Sequence, residues 1–129
     1  MRTRRSDPAA PGWTRIRHGR GHRYLDQRGE PLPEEARQRI RDLAIPPAWG
    51  DVWVSPDERG HIQATGIDQA GRRQYIYHPA WRARQDRLKF DRMLQLAERL
   101  PHARRHATRD MRSDPGTRER ALGAAFRLL

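Results

Sequence analysis

The sequence predicts an α+β fold, a small, mainly antiparallel β-sheet domain with short helices followed by a longer helical segment. Two observations carry that prediction. Between 51 and 77, three extended runs, "DVWVS", "HIQATG" and "RRQYIYH", are separated by the turn-forming stretches "PDERG" and "IDQAG". From Pro79 onward, apolar residues recur instead at helical spacing. A length of 129 residues suits one ordinary domain with an appendage.

Residues 1–12 mix arginine, proline and small residues without periodicity, which predicts a disordered basic arm. A β-rich domain is expected over 13–80. It opens with a hairpin, "WTRIR" and "HRYLD" flanking the glycines of "GRG" at 19–21. The charges around this turn, Arg17, His18, Arg20 and Arg23, fit either a phosphate contact or, more commonly, a solvated loop. A helix then begins after Pro33, where Glu34 and Glu35 complement the helix dipole. Its apolar stripe is Ala36, Ile40, Leu43 and Ala44, and "IPP" at 45–47 ends it.

The three extended runs form a meander. Alternation places Val52, Val54, Ile62, Ala64 and Ile76 on an inner face, with Gln63, Tyr75 and Tyr77 on the outer one. A helical segment is expected over 81–129. Pro79 opens its first helix, Phe90, Met93, Leu94, Ala97 and Leu100 make the apolar stripe, and Pro101 terminates it. A further helix over 118–129, started near Ser113 or Asp114 with Pro115, aligns Ala121, Leu122, Ala125, Phe126 and Leu129. Because that stripe is still accumulating at the last residue, the sequence reads as a truncated piece of a longer protein.

Composition narrows the function. Lys+Arg 27 against Asp+Glu 16 leaves a net charge of +11, which favours a polyanionic partner, nucleic acid first, over a small-molecule substrate. With Lys89 the single lysine, the positive charge is almost all guanidinium, suited to bidentate phosphate contacts and to stacking on bases. The absence of cysteine excludes thiol catalysis, disulfides and the usual zinc knuckles. No apolar run approaches the roughly 20 residues a spanning helix needs, and no secretory leader is evident. A monomer in the cytoplasm, associated with the nucleoid, is expected.

No catalytic constellation stands out. His102 and His106 share a helical i, i+4 spacing but have no third ligand, so no metal site is expected. The glycines of "GRGH" and "QAGRR" make turns rather than phosphate cradles, and no cofactor is expected. The richer signal is "GRRQYIYHPAW" at 71–81. If it is a strand, Arg73, Tyr75 and Tyr77 share one face while Ile76 points to the other, together with Gln74. Arg72, Arg73, Gln74, Tyr75 and Tyr77 join phosphate-binding charge, hydroxyl donors, flat rings and an amide able to read an adenine edge. The competing explanation is that the two tyrosines cover a second apolar layer.

Residues 43–93, "LAIPPAWGDVWVSPDERGHIQATGIDQAGRRQYIYHPAWRARQDRLKFDRM", closely resemble the amino-terminal region of bacterial, poxvirus-like type IB DNA topoisomerases, and "IRHGRGHRYLDQRGEPL" fits the same region. The resemblance implies the small lobe of a two-lobed clamp around double-stranded DNA. It also implies that the "GRxQYxY" strand lies in the major groove, with Gln74 and Tyr75 nearest base edges and the arginine at 72 nearest phosphate. In that family a tyrosine nucleophile forms a 3′-phosphotyrosyl link and relaxes supercoils without ATP, aided by two arginines, a lysine and a histidine or asparagine. All of these belong to the helical lobe, whose start 81–129 resembles. None falls on this sequence, so Tyr24, Tyr75 and Tyr77 are not expected to be nucleophiles and the chain alone is expected to be inactive. The alternative is a stand-alone basic adaptor that binds nucleic acid without enzymatic activity.

Overall fold

The computed structural model describes residues 1–128 and divides the chain into two compact units, Met1–Arg84 and Gln85–Leu129. The first unit is built on a five-stranded antiparallel sheet with spatial order β2-β1-β3-β4-β5. Its strands are β1 (Trp13–His18), β2 (Gly21–Leu25), β3 (Gly50–Val54), β4 (Ile62–Ile67) and β5 (Arg73–Tyr77). Helix α1 (Glu34–Leu43) lies between β2 and β3 in sequence. The expected hairpin is β1–β2, in which His18 pairs with Gly21 across a turn that Gly19 enters at φ +58°. The expected meander is β3–β4–β5. The two join into one sheet because Trp13 and Thr14 of β1 pair with Val54 and Trp53 of β3.

The core lies on the α1 side of the sheet. Leu32, Ile40, Val52, Val54 and Ala64 are buried there, and Trp13, Tyr24, Ala36, Leu43, Ile45, Trp49 and Ile76 pack around them. Full burial of each aliphatic side chain contributes roughly 1.5–3 kcal/mol. Helix α1 starts at Pro33, which has no side-chain cap to offer, so its first turn relies on Glu34 and Glu35 facing the dipole. Ala44, expected in the apolar stripe, instead ends the helix in the left-handed region at φ +51° and is exposed.

Two irregularities interrupt the sheet; Val52 and Val54 of β3 are buried as expected, and it is β4 that departs from the alternation read from the sequence. In β3, Gly50 pairs with Ile67 and Trp53 with Thr65, so β3 holds one extra residue, and Asp51 nearby takes φ +46°. In β4, Ile62 pairs with Tyr77 but Ala64 already pairs with Ile76, leaving Gln63 as the extra residue. Directly paired residues share a face, so Ile62 stands with Tyr77 rather than on the inner face. Gln63, expected outside, is buried at 2% exposure. Its amide nitrogen donates to the carbonyls of Gly60 (2.7 Å), Glu58 (3.2 Å) and Asp57 (3.3 Å). Its oxygen accepts from Arg39 Nη1 of α1 at 2.5 Å. Arg39 also donates to the Ser55 carbonyl and lies 4.7 Å over the Trp13 ring. Burial lowers its pKa from the ordinary value, against the opposing charges of Glu58 and Asp57.

The arm at 1–12, expected to be disordered, is held against the sheet unit. Arg4 N–H donates to the Arg59 carbonyl at 2.8 Å, and His61 N–H donates to the Arg4 carbonyl at 2.9 Å. Ser6 Oγ accepts from Ile62 N–H at 2.9 Å and donates to the Ile62 carbonyl at 3.0 Å, while Ser6 N–H donates to His61 Nδ1 at 3.0 Å. Trp53 Nε1 donates to the Ala10 carbonyl at 2.9 Å. Main-chain pairing of this kind needs no hydrophobic periodicity, so composition alone reads the arm as unstructured.

The second unit holds most of α2 (Pro79–Met111) and all of α3 (Arg118–Arg127). Pro101 does not end α2, contrary to expectation; the helix runs through it to Met111. A proline inside a helix sacrifices one backbone hydrogen bond, and here its flanks are rich in alanine, leucine, glutamate and arginine, all good helix formers. The last turns of α2 are also packed by α3, where a Cβ on Gly123 would lie 2.7 Å from the Ala107 carbonyl oxygen. Helix α3 starts at Arg118, as expected, but its cap is Thr117 rather than Ser113 or Asp114, the Thr117 hydroxyl accepting from Arg120 N–H at 3.3 Å. It buries Gly123 rather than the expected stripe, of which Ala121, Leu122 and Ala125 are exposed; Leu129 lies outside the described residues. Phe90, Met93 and Leu94 are likewise exposed.

Replacing Gln63 by leucine keeps the volume but strands Arg39 and the Gly60 carbonyl. The expected loss is about 1–3 kcal/mol of stability in chemical unfolding, with the cost of unsatisfied buried polar groups as its source. An unchanged midpoint contradicts the role assigned to this amide.

Candidate nucleic-acid interface

Strand β5 ends at Tyr77, and His78 turns the chain into α2. The His78 ring Nδ1 accepts from Ala80 N–H at 3.0 Å, and Arg82 N–H donates to the His78 carbonyl at 3.0 Å, closing the first turn. This places Trp81 over Tyr77, with ring centroids 4.5 Å apart and planes 19° from parallel. Tyr77 in turn stacks on Tyr75 at 6.1 Å and 18°. The His61 ring stands tilted against Trp81 at 5.7 Å. The result is a row of aromatic rings, Tyr75, Tyr77 and Trp81, on the sheet face opposite α1. Tyr75 is 44% exposed and Tyr77 37%, so the row is open to solvent at its two tyrosines, while Trp81 is half-buried. Offset stacking within such a row holds the rings in place without further packing.

Arg73 pairs with Ile67, Tyr75 with Thr65 and Tyr77 with Ile62, which sets these three residues on one face. Arg73 Nη2 lies 3.6 Å from Asp51 Oδ2, a carboxylate presented by the irregularity in β3. Gln74 pairs with Gly66 and so belongs to the face of Ile76. Its amide donates to Asp68 Oδ2 at 2.9 Å. Arg72 reaches the same carboxylate, with Nε 3.6 Å from Oδ2. The five residues singled out in the sequence therefore form two groups, Arg73, Tyr75 and Tyr77 on the open face and Arg72 with Gln74 gathered at the hairpin end by Asp68.

Asp68 organises that hairpin. Its Oδ1 accepts from Ala70 N–H (3.0 Å) and Arg72 N–H (2.9 Å), and Gly71 completes the turn at φ +77°. The Arg72 N–H above all, and next the Gln74 amide, hold the Asp68 carboxyl below the ordinary aspartate pKa.

Two participants were not foreseen as such. Trp81 reads in the sequence as the start of a helix, although its spacing of four from Tyr77 and the helix-starting Pro79 are visible there. Arg15, one of many surface-looking arginines, donates to the carbonyls of Pro46 and Trp49 and ties β1 to the segment entering β3. The hairpin charges Arg17, His18, Arg20 and Arg23 are all exposed. In the second unit, His106 Nδ1 lies 3.0 Å from Asp110 Oδ2, which gives that histidine a carboxylate partner. Among the described residues no group of three or more His, Asp or Glu is arranged to hold a metal ion, and no helix is long and apolar enough to cross a membrane.

A five-stranded antiparallel unit with an aromatic and arginine face is the class of domain that these elements define. Residues 21–68, from β2 to just past β4, match the family model for the bacterial DNA topoisomerase IB N-terminal domain. The DNA topoisomerase 1B of Acanthamoeba polyphaga mimivirus is 36% identical over 87 residues, 67% of this chain and 26% of the relative. The chain carries the amino-terminal domain of a type IB DNA topoisomerase. Its matched part spans about a quarter of the length of that curated relative. Strand β5 and Trp81 lie beyond the span matched by the family model.

The pH dependence of the Asp68 turn follows from its lowered pKa. A carboxyl that binds its proton more weakly in the folded chain contributes stability that is complete above the unfolded aspartate value. That contribution is lost as pH falls through the folded value. In an NMR titration the Asp68 carboxyl is expected to have a midpoint below the ordinary aspartate value, and Asp68→Asn is expected to remove that acid limb. A midpoint at or above the ordinary aspartate value refutes the assignment.

Proposed function

We propose that this chain binds double-stranded DNA as the small clamp lobe of a type IB topoisomerase, with the open face of β5 against the major groove. The observation that carries the reading is the exposed pair Tyr75 and Tyr77, stacked in a row with the half-buried Trp81, beside Arg73. Aromatic rings left in solvent on a strongly basic chain offer hydroxyl donors and flat surfaces to a polyanion, whereas a covered second apolar layer would bury them. Arg73 supplies a phosphate contact from the same face. Arg72 and Gln74 approach from the hairpin end, the arginine toward phosphate and the amide toward a base edge once it exchanges Asp68 for DNA.

The helices of the second unit, in this reading, open the helical lobe in which the longer protein performs its chemistry. Strand passage there relaxes supercoils through a 3′-phosphotyrosyl intermediate without ATP or a required metal. The three tyrosines of these 129 residues all belong to the sheet unit, where Tyr24 packs against the core and Tyr75 and Tyr77 contact DNA. None acts as a nucleophile. The chain works as a monomer, since one face of one sheet suffices to contact a groove.

Duplex binding by the 129-residue chain is expected to weaken linearly on a log scale as salt rises, with a slope of about 0.9 per neutralised phosphate. Arg73→Ala is expected to lower the slope by about 1. Tyr75→Phe, Tyr77→Phe and Gln74→Ala each remove one hydrogen-bonding group and should cost roughly 0.5–1.5 kcal/mol of affinity at unchanged melting temperature. Unchanged duplex affinity in all four variants sinks the groove-facing assignment.

Plasmid relaxation offers an independent check. The 129-residue chain is expected to leave negatively supercoiled plasmid untouched in conditions where it binds duplex. Relaxation above a vector control would place catalysis among residues that, in this reading, only bind DNA or support the fold.

A further inference from the structure

Beside the aromatic row lies a groove of about 370 Å³ lined by Thr3, Arg4, Arg5, His61, Trp81 and Arg84. All of these residues belong to the first unit. Trp81 is shared, since one side of its ring stacks on Tyr77 and the residue also lines the groove. We propose that this groove is a second phosphate-binding site, built by the amino-terminal arm, that extends the DNA contact of the β5 face along the same duplex. This proposal rests on the DNA-binding reading above and adds to it a set of residues and a structural role for the arm.

Three observations carry it. First, the arm is built into place. Ser6 exchanges two hydrogen bonds with the main chain of Ile62 and a third with His61 Nδ1, and the Arg4 main chain pairs with Arg59 and His61 on either side. Thr3, Arg4 and Arg5 are thereby delivered to one wall of the groove rather than left to the solvent. Second, the guanidinium groups there are available. Arg4 has one distant carboxylate, Asp57 at 3.7 Å, and neither Arg5 nor Arg84 has a carboxylate within 4 Å among the described residues. Three arginines converging on one groove repel one another unless an anion joins them, and the planar guanidinium fork fits a phosphodiester with two parallel hydrogen bonds. Third, the groove is continuous with the proposed interface. Ring-to-ring steps of 6.1 and 4.5 Å along Tyr75, Tyr77 and Trp81 cover roughly three phosphate intervals of a strand at about 3.4 Å of axial rise each. A duplex lying on the row meets the groove at the end of it.

Ser6 is accordingly a positioning residue. It touches no DNA, and its hydroxyl fixes the register in which Arg4 and Arg5 face Trp81.

Salt-dependent duplex binding of the 129-residue chain tests this. Arg5→Ala/Arg84→Ala, two exposed substitutions with no bearing on the core, are expected to reduce the log–log salt slope by about 2. The comparison is Arg37→Ala/Arg41→Ala, which removes the same charge from α1, where both side chains pair with Glu34. That pair is expected to leave the slope within about 0.5 of the parent, as an order-of-magnitude bound on long-range charge effects at moderate salt. Ser6→Ala changes no charge, yet by removing the hydroxyl's two hydrogen bonds to Ile62 and releasing the arm it is expected to lower affinity about threefold or more while the sheet unit stays folded at the assay temperature. If the groove pair behaves like the α1 pair, or Ser6→Ala binds like the parent, the groove is overturned while the β5 reading stands. If the parent chain fails to bind duplex at all, both fall together.

Discussion

The extra residue in β4 is the constraint on which the rest of the sheet unit depends. Because Gln63 has no direct partner in β5, its side chain drops to the α1 side and its amide is consumed there, holding three carbonyls of the 57–60 turn and meeting Arg39. A buried amide that finds all its partners rigidifies what it touches, and the low dielectric around it raises the cost of every alternative. The turn so fixed is the one with which Arg4 pairs through Gly60. One inserted residue therefore links the core, the helix above it and the arm at the chain's start. It also sets Ile62 beside Tyr77, on the face where alternation would not have put it.

The two faces of the sheet divide the labour. On one, α1 and the loop carrying Trp49 close over Val52, Val54 and Ala64, and Trp49 comes so near Gly66 that a Cβ there would lie 2.6 Å from the indole. On the other, Trp53, Thr65 and Tyr75 follow one another across three strands. Trp53 is anchored to the Ala10 carbonyl, and Gly12 lets the main chain pass against its ring. Thr65 is wholly buried between these neighbours, its hydroxyl without a hydrogen-bond partner among the described residues. The second face is dry where the arm covers it and open on both sides, at Thr14 and Ile16 of β1 and along β5. Its exposed tyrosines are confined to the β5 side, in one row instead of spread over the sheet.

Much of this was legible from the residues because local signals agreed with the tertiary structure. The glycine-centred hairpin, the meander and the start of α2 at Pro79 all follow from turn chemistry and period-two alternation, and the common face of Arg73, Tyr75 and Tyr77 follows from strand geometry alone. Residues 43–93 also carry enough of a family pattern to name it. What the residues do not disclose shares one physical character: it depends on an extra residue or on main-chain pairing, neither of which leaves a hydrophobic period. The position of Gln63 requires knowing that β4 contains an unpaired residue. The order of the arm requires knowing that Ser6 meets Ile62 across 56 positions of chain. Pro101 carries an intrinsic cost in a helix, which the surrounding turns outweigh. Trp81 is visible, but its partner Tyr77 belongs to a different element, and only the turn at His78 brings the two rings together.

The acidic residues of the sheet unit acquire a meaning from this arrangement. Asp51 holds Arg73, Asp68 holds Arg72 and Gln74, and Asp57 lies near Arg4, all at distances of 3.6 Å or more for the ion pairs and all with substantially exposed arginines. Exposed pairs of this kind contribute at most about 1 kcal/mol and are weakened by salt. They are poor stabilisers, but they confine long side chains to a narrow set of orientations before any ligand arrives. A phosphate that displaces such a carboxylate meets a guanidinium already facing it, and so loses less conformational entropy on binding than it would with a freely rotating arginine. The carboxylate meanwhile returns to water at little cost. Weak, solvent-screened pairing is thus the form of pairing that suits the proposed DNA-binding surface, whereas a tight buried pair would have to be broken against several kcal/mol.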